Sequence, residues 1–124
     1  MEIDISKLAK TVMGDIEEIA QAEISKVEDV LDSMANETCT QIKMDSPAGG
    51  KYRDGWTIRR ENQYGTRYVI VYNRKEPSLT YIFEDGTVDR YTKSGQYRGR
   101  IEAKPHIRPA FYKAVERHKK ELGG

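Results

Sequence analysis

The stretch "WTIRRENQYGTRYVIVYNR", residues 56–74, decides the fold. Trp56, Ile58 and Arg60 alternate with Thr57 and Arg59, and beyond Gly65 the run "RYVIVYNR" is rich in β-branched and aromatic residues. Both arms read as strands, and the short glycine-containing link between them predicts a β-hairpin.

Upstream of this hairpin the sequence changes period. Ile5, Leu8, Val12, Ile16, Ile19, Val27, Val30, Leu31, Met34, Thr38 and Ile42 recur mostly three or four residues apart, with charges between them, which predicts an amphipathic helix. Asp4 is a suitable N-cap, Ile3 can pack on Leu8 as a hydrophobic staple, and Gly14 can bend the helix. Pro47 disfavours helix at Ser46, so the end falls near Asp45. A helix of about 40 residues would span roughly 60 Å, about twice the diameter of a small domain. A short sheet cannot cover its whole apolar stripe. Either the helix is broken or other copies of the chain bury the remainder, with Val27, Leu31 and Met34 as the candidate contact.

Downstream, "DSPAGGKYRDG" reads as a loop, and "SLTYIFED" as a short helix starting at Ser78 behind Pro77. "DRYTKSGQYRGRIEA" turns at Ser94 and Gly95 between two polar, tyrosine-containing arms, and its lack of apolar residues predicts a protruding hairpin or loop. Pro109 suits the first position of a last helix with the stripe Phe111, Ala114, Val115, His118 and Leu122. The expectation is one α+β domain over residues 1–124. Its parts are a helical region at 1–45, a sheet with a short helix and protruding arm at 46–107, and a helix at 108–122.

The 124 residues suffice for one core. Cys39, the single cysteine, excludes an intrachain disulfide and reads as a small apolar filler in a reducing cytoplasm. The acidic start "MEIDISKLAK" lacks the basic region of a signal peptide, and no run of roughly 18 apolar residues exists to span a membrane. The chain is expected to be soluble, with no membrane contact. Net charge is +1, yet residues 1–46 hold 11 acids and 4 bases (−7) and residues 47–124 hold 9 acids and 17 bases (+8). Such asymmetry fits either attraction between the halves, within a subunit or between copies, or a polyanionic partner.

Several residues invite chemical roles. Glu84, Asp85 and Asp89 are of the type that holds Mg²⁺ for phosphodiester chemistry, with Lys93 nearby, but a turn in which Glu84 and Asp85 accept backbone or arginine hydrogen bonds beside Gly86 explains them better. His106 and His118 share no metal-ligand spacing, and neither lies beside a nucleophile motif. "AGGKYRDG" lacks the spacing and the Lys-Ser/Thr ending of a phosphate loop. No cofactor and no catalytic constellation is expected. Arg90, Lys93, Arg98, Arg100, Lys104 and Arg108, interleaved with Tyr91 and Tyr97, have the ingredients of a nucleic-acid surface; a solvated loop or an inter-subunit contact explains them equally well.

Three segments occur in a telling order: "SPAGGKYRDGW" after the helical region, "VYNRKEPSLTYIFEDGT" after the hairpin, and "AKPHIRPAF" opening the last helix. Together they resemble the tail-component family of long-tailed bacteriophages and prophages, the Hong Kong phage gene-product-ten-like family of head-tail joining or tail-completion proteins. The matching positions are Ser46, Pro47, Gly50, Tyr52 and Trp56, then Asn73, Tyr81, Glu84, Gly86 and Thr87, then Ala103, Pro105, His106, Ile107, Pro109 and Ala110. Gly49, Gly55 and Asp85 depart from the usual Thr, Ser and Phe. The resemblance covers roughly residues 40–115. It implies a structural, non-enzymatic virion protein: a ring-forming subunit at the neck or tail top. Its implied partners are itself, head-completion or connector proteins and tail-terminator or tail-tube proteins, with non-specific contact to passing DNA. Its implied location is the virion, and the host bacterial cytoplasm during assembly. The rival reading is a nucleic-acid-binding module gripping through the arm at 90–108.

Overall fold

The computed structural model describes residues 1–5, 21–63 and 66–119. Three antiparallel strands, β1 (Ile3–Asp4), β2 (Trp56–Gln63) and β3 (Thr66–Asn73), form a sheet in the order β1-β3-β2. The hairpin register runs without a slip from Trp56 opposite Asn73 to Gln63 opposite Thr66, and Ile3 lies opposite Val71. Because side chains alternate along a strand, this register puts Ile3, Trp56, Ile58, Val69 and Val71 on one face. That face meets the core: all but Ile58 are buried, and Ile58 packs against its edge. On the other face the Arg59 guanidinium lies 4.9 Å from the centre of the Tyr72 ring and pairs with Glu2 and Glu61.

Two helices cover the apolar face. Helix α1 (Gln21–Met44) packs on β2 and β3 and along α4 (Arg108–His118). It buries Val30, Leu31, Met34, Ala35, Thr38, Cys39 and Ile42, and α4 contributes Ala110, Phe111, Ala114 and Val115. Both sets recur at helical spacing, so each helix presents one stripe inward. Two shorter helices, α2 (Lys51–Asp54) and α3 (Leu79–Asp85), flank the hairpin at its open end. A separate two-stranded ribbon, β4 (Arg90–Tyr91) with β5 (Tyr97–Gly99), forms the arm. Burial raises the pKa of the Cys39 thiol, with Lys43 opposing more weakly, so the sulfur stays protonated and acts as core filler.

The structure corrects several expectations. The long helix expected behind Asp4 is not supported: Ile3 and Asp4 are strand residues paired with β3, and the described helix is Gln21–Met44. Leu8, Val12, Gly14, Ile16 and Ile19 lie outside the described residues, as does Leu122. The candidate self-assembly contact fails for two of its three members. Leu31 and Met34 are buried beneath the sheet and α4, because α4 supplies the cover that was assigned to a second copy; the side chain of Val27 is not among those described. The loop at 45–55 contains the helical turn α2, whose Tyr52 is buried.

Part of the charge asymmetry is met inside the chain. Asp32 pairs with Arg60 at 3.1 Å, Glu37 with Arg117 at 3.2 Å, Asp45 with Lys113 at 3.9 Å and Glu2 with Arg59 at 3.5 Å. Every pair joins the acidic half to the basic half. All are partly exposed and screened by solvent, so they set register more than stability.

Met34→Ala should cost about 2–5 kcal/mol, the usual range for emptying a buried methionine site. The check is the urea midpoint of the isolated chain, which would be unchanged if Met34 lay in an interface between copies.

Candidate functional site

Of the residues that the sequence singled out, Tyr52, Asn73, Glu84 and His106 gather where α2, α3, the end of β3 and the start of α4 meet. Helix α2 ends at Gly55, and there is no room there for a side chain: a Cβ would collide with Asn73 Oδ1 and the Lys51 carbonyl. Asn73 closes this corner. Its Nδ2 donates to the Tyr52 carbonyl at 2.7 Å, and its Oδ1 accepts the Glu76 N–H at 2.8 Å. The end of β3 thereby holds α2 and starts the turn into α3.

Helix α3 delivers Glu84, only 2% exposed, to the start of α4. One carboxylate oxygen accepts the N–H groups of His106 and Ile107, each at 2.8 Å, and the other accepts the N–H of Arg108 at 3.0 Å. The first N–H groups of a helix have no partner within it and carry the positive end of its dipole. From a distant segment Glu84 satisfies two of them, at the capping residue Ile107 and at Arg108, together with the His106 N–H just before the cap. Arg108 lies outside this cluster, its guanidinium 3.7 Å from Glu84 and 2.7 Å from Asp85. The hydrogen bond from Arg108 holds the Asp85 carboxyl below the usual carboxylate range.

His106, 1% exposed, extends the network. Its Nδ1 lies 2.8 Å from the Lys104 carbonyl, which can only accept, so Nδ1 carries the proton. Nε2 is then the acceptor for the Tyr52 hydroxyl at 2.6 Å. Tyr52 packs edge-on against Phe83 and Trp56. Burial pushes the Tyr52 hydroxyl far above the usual tyrosine range; the Glu84 carboxylate adds to the effect and the Trp56 indole opposes it. A Glu-His-Tyr series is a set of groups used elsewhere to move protons. Here all three are buried in a junction of helices, Glu84 and His106 fixed by backbone partners and Tyr52 by the His106 ring. What the arrangement does is hold the junction.

The turn after Glu84 is equally constrained. Gly86 has φ +75°, and a Cβ there would lie 2.7 Å from Ala103 N and Ile101 O. Thr87 N–H donates to the Ile101 carbonyl at 2.8 Å, and Ile101 N–H donates to Thr87 Oγ1 at 2.9 Å. Lys104 N–H donates to the Phe83 carbonyl at 2.7 Å. These bonds clamp the base of the arm. Pro105 precedes the cap, while Pro109 and Ala110 occupy the first turn of α4. Pro47 and Gly50 lie in the connection before α2, and Tyr81 is exposed on α3.

The acidic trio is not brought together for a metal. Glu84 is a buried cap, Asp85 pairs with Arg108, and Asp89 accepts from the Tyr97 hydroxyl at 3.2 Å. Among the described residues no group of three or more His, Cys, Asp or Glu could hold a metal ion. His118 rests against Glu37, with Nε2 at 2.8 Å, far along α4 from His106. An open groove of about 330 Å³ is lined by Asn36, Glu37, Thr40, Gln41, Met44 and Arg117. The six basic candidates also separate. Arg100 pairs with Glu102 and Arg108 with Asp85, whereas Arg90, Lys93 and Arg98 sit on the arm with no ion pair among the described residues, and Lys104 is exposed at its base.

A mixed helix-and-sheet scaffold whose buried polar residues serve a structural junction is the class that the geometry defines. A family model described as "Bacteriophage HK97-gp10, putative tail-component" matches residues 10–104. The chain therefore belongs to that family of phage tail components, with a structural role in the virion. The match takes in α1 and the arm and stops before Pro105. No curated protein and no solved structure matches the chain. Among the described residues no helix is long and apolar enough to cross a membrane.

Three predictions test the junction. Glu84→Gln, which keeps the shape but sets an NH₂ group against a backbone N–H, should destabilise the fold by about 1–3 kcal/mol, read from chemical denaturation. Gly86→Ala should cost more than Gly95→Ala: Gly95 shares the positive φ, at +89°, but has open space around it, so the difference between the two melting temperatures isolates the clash at Ala103. The raised Tyr52 pKa gives a signed pH dependence. The unfolded chain releases this proton near pH 10 and the folded chain retains it, so the contribution is fully present below about pH 10 and declines above it. Tyr52→Phe should flatten that alkaline fall in stability.

Proposed function

We propose that the chain is a ring-forming subunit at the neck or tail top of a long-tailed phage or prophage, completing the tail and joining it to the head. The observation that carries this reading is the family match over residues 10–104. The junction supports it, since Glu84, His106 and Tyr52 are engaged in holding helices together and leave no exposed set for turnover.

With Leu31 and Met34 in the core, the contact between copies is assigned to exposed residues of α3 and α4. Tyr81 and Tyr112 are 57% and 55% exposed. Tyr81 lies one turn before Asp85, Tyr112 one turn after Arg108, and the Asp85–Arg108 pair joins the two helices. This gives a continuous ridge of tyrosine and arginine, the residue types that dominate binding energy at interfaces. If a ridge on one copy meets a different surface of the next, the contact is heterologous, and closure gives a ring.

Particles made without this protein should accumulate unjoined heads and tails, and adding the purified chain should join them, as counted by electron microscopy. Tyr81→Glu with Tyr112→Glu should reduce joining at least about tenfold, the loss expected for a hot spot worth about 1.4 kcal/mol or more, while leaving the melting temperature of the isolated chain unchanged. Normal joining in the absence of the protein would rule out the role.

A further inference from the structure

We infer that the β4–β5 arm is a contact for the phosphate backbone of duplex DNA. This rests on the proposed location at the neck only for its biological setting; the chemistry stands on the arm itself.

The arm is prebuilt. At its tip Gly95 N–H donates to the Thr92 carbonyl at 2.9 Å, Thr92 N–H donates to the Gln96 carbonyl at 2.8 Å, and Gln96 N–H donates to Thr92 Oγ1 at 3.0 Å. At its base the Thr87–Ile101 bonds and the close approach of Gly86 to Ala103 hold it to the body. Between these two fixed points Arg90, Lys93 and Arg98 are exposed and make no ion pair among the described residues. Of the other arginines with described side chains, Arg59, Arg60, Arg100, Arg108 and Arg117 pair with acids, while Arg53 and Arg74, near the α2 corner, make no such pair among the described residues. Three unneutralised cations on a preorganised ribbon attract a polyanion.

The described acids of another copy are a poor candidate for that polyanion. Glu2, Asp32, Glu37 and Asp45 are already engaged by basic residues of their own chain, and Asp4 and Glu28 also have partners, which leaves the exposed Asp29 among the described acidic side chains of residues 1–46. Single-stranded nucleic acid fits less well than duplex. It is held by open aromatic platforms, but the Tyr91 and Tyr97 rings pack edge-on against each other at 5.5 Å, and the Tyr97 hydroxyl is bonded to Asp89. Contacts from Arg90, Lys93 and Arg98 to phosphates carry no sequence information, so the binding is independent of sequence.

The test is fluorescence anisotropy of a labelled duplex of about 30 base pairs, titrated with the full chain between about 25 and 200 mM salt. The wild type should bind in the range of about 10⁻⁴–10⁻⁶ M, and more weakly as salt rises. Arg90→Ala with Lys93→Ala and Arg98→Ala should weaken binding at least about tenfold and reduce the slope of log K against log salt by roughly 2.7, at about 0.9 for each phosphate no longer neutralised. The arm is outside the core, so circular dichroism of this variant should match the wild type. A second variant, Lys51→Ala with Arg74→Ala and Lys75→Ala, removes exposed cations at the α2 corner and should bind as the wild type does. Failure of the wild type to bind, or loss of binding only in the corner variant, overturns the inference. So does an arm variant that binds duplex normally but no longer joins heads to tails, which would assign the arm to an acidic protein partner. An arm variant that loses DNA binding yet joins particles supports the inference and leaves the joining role intact.

Discussion

Everything at the open end of the hairpin depends on one buried carboxylate at the start of one helix. Ionised groups are costly to bury, and Glu84 is tolerated because three backbone N–H groups and the dipole of α4 replace the water it loses. The dependence runs in both directions. Without Glu84 the first turn of α4 has unsatisfied donors in an apolar setting; without α4 the carboxylate has no partners. Because α4 covers α1, a fault at this point propagates to Ala110, Phe111 and Ala114, and from them to the core under the sheet. His106 and Tyr52 carry the same constraint to α2, and Asn73 carries it to β3. Helices α1 to α4 and strand β3 are thus tied by a short chain of contacts, a system in which partial satisfaction would be worse than none.

The elements themselves were largely legible along the chain. Alternation at Trp56–Arg60 predicted the hairpin, Pro77-Ser78 the start of the short helix at Leu79, and Pro109 the first turn of the last one. The role of Glu84 was not, because its partners lie 22 to 24 residues onward and only tertiary packing brings them near. A local reading sees a carboxylate beside a glycine and assigns a turn. The glycine does form the turn, but the carboxylate points elsewhere. Leu31 and Met34 illustrate the opposite error. Their helical spacing identified an apolar stripe correctly, yet spacing cannot say whether the cover comes from the same chain or from a second copy, and α4 proved to be that cover. The charge asymmetry left its cause open, since it fitted attraction within a subunit, between copies or to a polyanion, and the ion pairs across α1, β2 and α4 meet part of it internally.

What remains at the surface divides by chemistry. The arm carries cations without counterions, and the ridge of α3 and α4 carries tyrosines around a satisfied ion pair. The joining role proposed above would use both kinds of surface, kept apart by a body rigid enough to fix their spacing. The junction at Glu84 provides that rigidity for both, since the arm emerges from the turn just after it and the ridge straddles it.

Cys39 limits how such a subunit can be fastened. It is the chain's single cysteine, it lies inside the core between α1 and its neighbours, and burial keeps its sulfur protonated. A disulfide forms through an accessible thiolate, so covalent stapling of one copy to another through this residue would require opening the core first. Whatever this tail component binds is therefore held, as far as this residue goes, by many weak contacts that can break and re-form and not by a covalent bond.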